Sequence, residues 1–275
     1  MTENLLIHSM AEFSAITLEA LALANVQTIC EIGAEHGGNS TVLADWLGAR
    51  KGCLTSIDPA PGAAFLQWME ANRSHVQHIA GLSLDVIPTL AAQDAWFIDG
   101  DHNWYTVYHE LKAIHARQRA AGKPLLIFMH DVGWPWARRD MYYAPDRIPA
   151  QFRQTFSWEH GVTRNSKQAI RGGFRGCGAF AVAMNEGGPR NGVLTAVEDF
   201  AADHEDEFFW ANIPGVFGLG VLFDRTHPAA AELATLLSPL HDHPLYRRLE
   251  DNRLANYLRV IALQDEAEAA RCVTP

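Results

Sequence analysis

The chain has 275 residues, 48% of them hydrophobic and 20% charged, with a formal net charge of −10. That length can bury a substantial core in one domain, or in one domain carrying an insertion, and the composition gives no sign of disorder. The acidic balance disfavours nonspecific attraction to nucleic acid or to an anionic membrane unless a local basic patch overrides it. Cys30, Cys53, Cys177 and Cys272 are far apart and form no C-x-x-C pair, so reduced thiols are expected rather than a zinc cluster or a disulfide framework. Residues 1–6 lack the basic region and apolar core of a signal peptide, and no apolar run is long enough to span a bilayer. A cytoplasmic location is expected.

In chain order, helical periodicity over 10–24 leads into an apolar strand at 26–32, a glycine-rich turn, a helix over 39–47 and a strand at 53–57. The pattern then repeats with a helix at 61–72, a strand at 76–79, a short helix at 82–90, a buried strand at 95–98, a helix at 104–120 and a fifth strand at 124–129. Strands alternating with helices at this spacing imply right-handed crossovers and a parallel sheet covered on both faces. Such a sheet gathers functional groups at its carboxyl strand ends, where Glu31, Asp58, Asp99 and Asp131 all fall.

Residues 132–176 break the alternation, with Trp134, Trp136, Arg138, Tyr142 and Tyr143 concentrated just after the fifth strand. They are expected to form an insertion over the active site whose rings and arginine enclose a substrate; the alternative is a long loop packed by its own aromatic residues. A strand at 178–184, a helix at 192–202 and two strands at 208–213 and 216–223, joined at Pro214-Gly215, follow. Residues 244–271 end the chain as an amphipathic helix with the stripe Leu254, Tyr257, Leu258 and Ile261, which packs on its own domain or makes a homo-oligomer contact.

The most informative segment runs Cys30-Glu31-Ile32-Gly33-Ala34-Glu35-His36-Gly37-Gly38-Asn39-Ser40-Thr41. Glycines accept positive φ and let a ligand approach the backbone, while the start of the next helix leaves amide donors unpaired. The spacing departs from the dinucleotide pattern G-x-G-x-x-G, since three residues separate Gly33 and Gly37. One strand-helix-strand unit later, Asp58 ends the second strand, where a carboxylate can accept from two ribose hydroxyls. Near the fourth strand end, Asp99, Asp101 and His102 join a candidate metal ligand to a candidate general base. His102 otherwise reads as a cap for the helix starting near Trp104. Asp99 and Asp131, two carboxylates at neighbouring strand ends, suit octahedral magnesium.

Glu31-x-Gly33-x-x-x-Gly37 followed by Asp58 resembles the first two motifs of class I S-adenosylmethionine-dependent methyltransferases. Phe97-Ile98-Asp99-Gly100-Asp101-His102 and Phe128-Met129-His130-Asp131 are similar to the fourth and fifth strand ends of small-molecule O-methyltransferases, including macrolide-sugar methyltransferases and cephalosporin hydroxylase relatives. The similarity covers residues 25–131, with weaker agreement at 192–224. The resemblance implies an α/β, Rossmann-like, doubly wound sheet of seven mostly parallel strands, with an antiparallel edge from the last two strands and an insertion after the fifth. It places S-adenosylmethionine against Gly33, Gly37, Ser40, Asp58, Ser83 and Asp99, with Glu31 ordering the amino-acid end. Ser83 and Ser40 read equally as helix caps.

In the same resemblance, His102, three residues after the metal-binding Asp99, takes the proton of a small acceptor's hydroxyl. Related metal-dependent enzymes carry two adjacent acidic or amide ligands after the fifth strand, whereas this chain has His130-Asp131-Val132. Either His130 is a third ligand with Asp99 and Asp131, or no metal is used. Two other functions remain open at this point: a nicotinamide-dependent oxidoreductase, and a protein that retains the donor pocket without chemistry.

Overall fold

A computed structural model describes residues 8–273; the reading of residues 1–6 and the side chain of Cys272 lie outside the described residues. In chain order a 3-10 turn, Met10–Phe13, leads into α1 (Ser14–Leu23), β1 (Thr28–Ile32), α2 (Gly38–Gly48), β2 (Cys53–Ile57), α3 (Ala63–Asn72) and β3 (Val76–Ile79). Next come α4 (Ser83–Val86), β4 (Ala95–Ile98), α5 (Trp104–Ala121) and β5 (Leu126–His130). Five short strands follow: β6 (Met141–Tyr142), β7 (Phe156–Ser157), β8 (Gly161–Thr163), β9 (Ser166–Ile170) and β10 (Ala181–Ala183). The chain closes with α6 (Val193–Ala202), β11 (Phe208–Ile213), β12 (Leu219–Asp224), α7 (Ala230–Leu237) and α8 (Pro244–Val273).

The main sheet has seven strands in the order β11-β12-β5-β4-β1-β2-β3. The pairs among β1 to β5 are parallel, while β12 runs antiparallel to both β5 and β11. The final hairpin therefore makes one margin of the sheet, with the antiparallel strand one place in from the edge. Val216 and Phe217 belong to the connection rather than to β12, because both adopt left-handed backbone.

Nearly every residue of the central strands is apolar because both faces are covered. Cys30, Ile32, Trp96, Ile98, Ile127 and Met129 enter one core with residues of α5 and α6. Their neighbours Ile29, Ala95, Phe97, Leu126 and Phe128 enter a second core with residues of α1, α2 and α7. The strand period of two distributes one hydrophobic run between two layers.

The insertion is larger than the aromatic cluster at 132–176 suggested. β10 at 181–183 does not join the main sheet but lies between β6 and β7 in a three-stranded antiparallel sheet, and β8 pairs with β9. Buried Arg139 fastens these pieces, donating to the carbonyls of Ala183 (2.5 Å) and Lys167 (2.7 Å). Asp140 ties them to the main domain by accepting from the amides of Trp104 and Gly192, both at 2.7 Å.

α8 packs one face on the domain through buried Leu254, and Glu250 on that face accepts from the backbone of the β11–β12 connection. Leu245, Leu249, Val260 and Leu263 are exposed on the same helix. Cys30, Cys53 and Cys177 are free thiols. Among the described residues no helix is long and apolar enough to cross a membrane.

Candidate active site

β1 lies between β2 and β4, so the chain leaves β1 and β4 at the switch point of the sheet, where a crevice opens between neighbouring carboxyl ends. The Gly33 amide donates to Ile57 O (2.9 Å) and the Asp99 amide to Ile32 O (2.8 Å), which binds the two loops side by side. Gly33 has φ 90°, and a Cβ there would run into the Asp99 carbonyl. Gly37 has φ 82° and forms the left-handed N-cap of α2, where a Cβ would meet the Phe65 ring at 2.9 Å. Both glycines are thus required by backbone geometry and close packing.

Two carboxylates brace this turn. Asp58 Oδ2 accepts from the amides of Ala34 (2.9 Å) and Glu35 (3.0 Å), and its Oδ1 accepts from Ala60 (2.8 Å). The carboxylate expected to hold ribose hydroxyls therefore also fixes the loop, and Oδ1 keeps accepting capacity beyond its single amide. Glu31 is buried beneath the turn, accepting from Asn39 Nδ2 at 2.8 Å and from Ser40 Oγ in a very short contact. Burial pushes its pKa up to about 7, against the opposing pull of those two donors.

The capping readings do not survive. Ser40 is spent on Glu31, and Leu82, not Ser83, occupies the N-cap of α4, leaving Ser83 as its first residue. Asn103 caps α5 by accepting from the Thr106 amide (2.9 Å), which frees His102 from that role.

At the ends of β4 and β5 four ionisable side chains converge. His102 Nε2 is 2.8 Å from Asp131 Oδ2 and 3.6 Å from Asp99 Oδ1. His130 Nδ1 is 3.2 Å from Asp99 Oδ1 and 3.3 Å from Asp131 Oδ2. Asp131 reaches this position with a left-handed backbone, φ 61°. Burial alone would lower the pKa of His102, but the Asp131 carboxylate, helped by Asp99, raises it to about 10. His130 is likewise held well above its ordinary value, chiefly by Asp99 working against burial. Burial would raise both carboxyl groups, yet Asp131 is held low by His102 and His130, and Asp99 by His130. Each imidazole is thus biased toward its charged form by the two carboxylates it faces, so His102 departs from the near-neutral imidazole expected from its residue type.

Asp99, His102 and Asp131 each bring a ligand atom within 4.8 Å of the others, a group able to hold a metal ion. The third member of this convergent set is His102 rather than His130. His130 stands behind it, with Nε2 engaged by the Val216 carbonyl at 2.8 Å.

The insertion residues divide. Trp136 is buried against Phe174 and Phe180, and Tyr142 is buried with its hydroxyl donating to Asp140 Oδ2 at 2.7 Å, so both are core rather than substrate contacts. Arg138 turns to α6, where it pairs with Glu198 (2.5 Å). Trp134 packs on Phe174 and Phe217. Tyr143 alone among the five is strongly exposed, with its ring centroid 6.0 Å from that of His102.

Residues 30–132 match the family model described as "Methyltransferase domain". Over this segment the chain is similar to that domain. The matched segment holds both the glycine turn and the His102–Asp131 cluster. No curated protein sequence matches the chain. Similar solved structures include an SAH-bound methyltransferase from Podospora anserina, 16% identical, with 78% of this chain and 79% of that chain covered and a TM-score of 0.48. An O-methyltransferase from Bacillus cereus in complex with SAH is 13% identical, covering 78% and 81%, with a TM-score of 0.46. The O-methyltransferase TomG of Streptomyces achromogenes, involved in tomaymycin synthesis and solved with SAM, is 15% identical over 78% and 80%, also with a TM-score of 0.46.

Proposed function

We propose that this protein transfers the methyl group of S-adenosylmethionine to a hydroxyl of a small acceptor, with His102 taking the hydroxyl proton. The observation that carries the reading is the His102–Asp131 contact of 2.8 Å beside the glycine turn at the sheet's switch point. When bound, the donor supplies a methyl group on a cationic sulfur that leaves as a neutral thioether.

The residues present fit that donor. Gly33 and Gly37 keep the floor of the crevice free of side chains, Asp58 Oδ1 retains accepting capacity for a sugar hydroxyl, and Glu31 provides a buried carboxylate under the turn for the amino-acid end. Ser83, the first residue of α4, is assigned to the adenine side by the resemblance alone.

In the catalytic set, Asp131 orients the imidazole and stabilises it once protonated, as a carboxylate does in acid–base dyads. Among the described residues His102 Nδ1 is buried without a hydrogen-bond partner, and it is the nitrogen assigned here to take the acceptor's proton. The imidazole must first release the proton that Asp131 favours, and a sulfonium charge placed nearby lowers its pKa in that direction. Tyr143, at the mouth, offers an aromatic face to the acceptor.

A divalent ion also fits the donor set, since two carboxylates converge with an imidazole. Asp99 and Asp131 would hold it, leaving His102 for the proton, and it would supply positive charge beside the developing alkoxide.

The decisive experiment is calorimetric titration with S-adenosylmethionine and S-adenosylhomocysteine, followed by an acceptor screen on wild type and His102→Ala. The reading stands if both nucleosides bind and turnover vanishes only in the variant. Absence of binding to either compound refutes the donor assignment; undiminished turnover in the variant refutes the base.

A further inference from the structure

We propose that Glu250, on the C-terminal helix, is a positioning residue for the catalytic cluster, acting through the β11–β12 connection and His130. The inference rests on the function proposed above and extends it to a residue far outside the methyltransferase-domain match at 30–132.

The connection between β11 and β12 is unusual in its backbone. Gly215, Val216, Phe217 and Gly218 have φ values of 136°, 40°, 66° and 91°, four left-handed residues in succession. Glycine adopts such angles freely, but a β-branched valine and a phenylalanine do so only when their surroundings impose it. Glu250 is the group that imposes it. Its Oε2 accepts from the Val216 amide and its Oε1 from the Phe217 amide, both at 3.0 Å, so one carboxylate holds the two strained amides together. Arg253, one turn further along α8, donates to both carboxylate oxygens at 2.6 and 2.7 Å and fixes the acid in place.

While α8 holds these two amides, the carbonyls of the same two residues bond to the segment at the end of β5. Val216 O lies 2.8 Å from His130 Nε2, and Phe217 O accepts from the Gly133 amide at 2.5 Å. The connection thus clamps the end of β5 on both sides of Asp131. A carbonyl can only accept, so its bond to Nε2 requires the proton on that nitrogen and leaves Nδ1 directed at Asp99 and Asp131. Those two carboxylates are the ones that face His102. The path from α8 to the catalytic imidazole is therefore a chain of direct contacts with defined donors and acceptors. Groups directly behind a metal ligand change activity by about 10- to 100-fold when lost, and Glu250, several contacts further back, falls at the low end of that range.

The test compares wild type with Glu250→Ala and Glu250→Gln, and uses Glu266→Ala as a control that removes an exposed acid from the same helix without touching the connection. Three quantities are measured: donor affinity by calorimetry, kcat and KM for a working acceptor, and the His130 ring by long-range proton–nitrogen correlation, which reports the environment of its two nitrogens. Glu250→Ala is expected to lower kcat by about 10-fold, with donor affinity held and a changed His130 ring spectrum. Glu250→Gln, which keeps one accepting oxygen, should fall between, and Glu266→Ala should match wild type. Adding Val216→Gly and Phe217→Gly to Glu250→Ala should restore part of the loss, because glycine needs no carboxylate to hold a left-handed angle. If Glu250→Gln leaves both kcat and the His130 spectrum as in wild type, the proposal is overturned. Should wild type show no methyl transfer, the methyltransferase reading fails while the His130 spectrum still decides whether Glu250 governs the ring.

Discussion

His102 and Asp131 meet at 2.8 Å although they lie on different strand ends, and the contact joins an imidazole raised to about pKa 10 to a carboxylate held low. Replacing His102 with Gln removes the proposed proton acceptor but keeps the size of the side chain, so kcat should fall by roughly 10²- to 10⁴-fold with donor affinity nearly unchanged. In wild type, kcat should climb with pH through and above neutrality, as His102 must lose its proton to act. Steady-state rates from about pH 6 to 10 check this; a flat profile in that range excludes His102 as the base.

The same pair predicts a stability window. Asp131, lowered from its ordinary 3.8, contributes stability that is present above that value and lost as pH falls below it. His102, raised from 6.5 to about 10, contributes stability that is complete below 6.5 and lost as pH rises through about 10. Asp131→Asn should therefore cost about 3–5 kcal/mol near neutral pH, the usual penalty for breaking a buried pair. Urea titrations near pH 7 and pH 3 should show the gap between variant and wild type shrinking in acid.

Glu31 titrates where function can feel it. Its folded pKa of about 7 exceeds the ordinary 4.5, so its favourable contribution is full below 4.5 and lost as pH rises through about 7. Glu31→Gln should raise the melting temperature near pH 8 and change it little near pH 4. An ionised Glu31 serves a cationic donor, so wild-type affinity should tighten from about pH 6 to pH 8 while the variant stays flat. Calorimetry at the two pH values separates these outcomes.

Gly33→Ala places a Cβ against the Asp99 carbonyl on a backbone with φ 90°. The strain and the clash together should cost about 2–4 kcal/mol and displace the loop that carries Asp99. A lowered melting temperature with weakened donor binding is the expected pair of results; wild-type values for both would contradict the packing described.

Chelation decides between the two uses of Asp99 and Asp131. Loss of turnover in EDTA, restored by magnesium, assigns them to an ion. Unchanged turnover leaves them as partners of His102 and His130 alone.

Much of this site could be read from the amino-acid order because a parallel sheet converts strand ends into neighbours. Glu31, Asp58, Asp99 and Asp131 each follow an apolar run, and that position alone brings them to one edge. The insertion resisted the same treatment. Its strands are two to five residues long, too short for periodicity, and aromatic content does not tell a ring that fills a core, such as Trp136 or Tyr142, from one that faces a ligand, such as Tyr143. Nor could His102 be distinguished from a helix cap until Asn103 was seen in that place. Glu250 carried no signal at all: its partners are backbone amides 34 and 33 residues away, in a turn whose left-handed angles at Val216 and Phe217 no propensity would suggest.

The Met141 amide donates to the carbonyl of His102 at 2.9 Å, and Asp140 next to it is bonded to the first residue of α5. The segment above the crevice is consequently rooted in the same backbone as the proposed base, and swinging it aside would drag that imidazole out of register. If the proposed function holds, acceptors would be sorted by the contour of that opening, and broadening their range would call for recarving individual side chains such as Tyr143 instead of loosening a hinge.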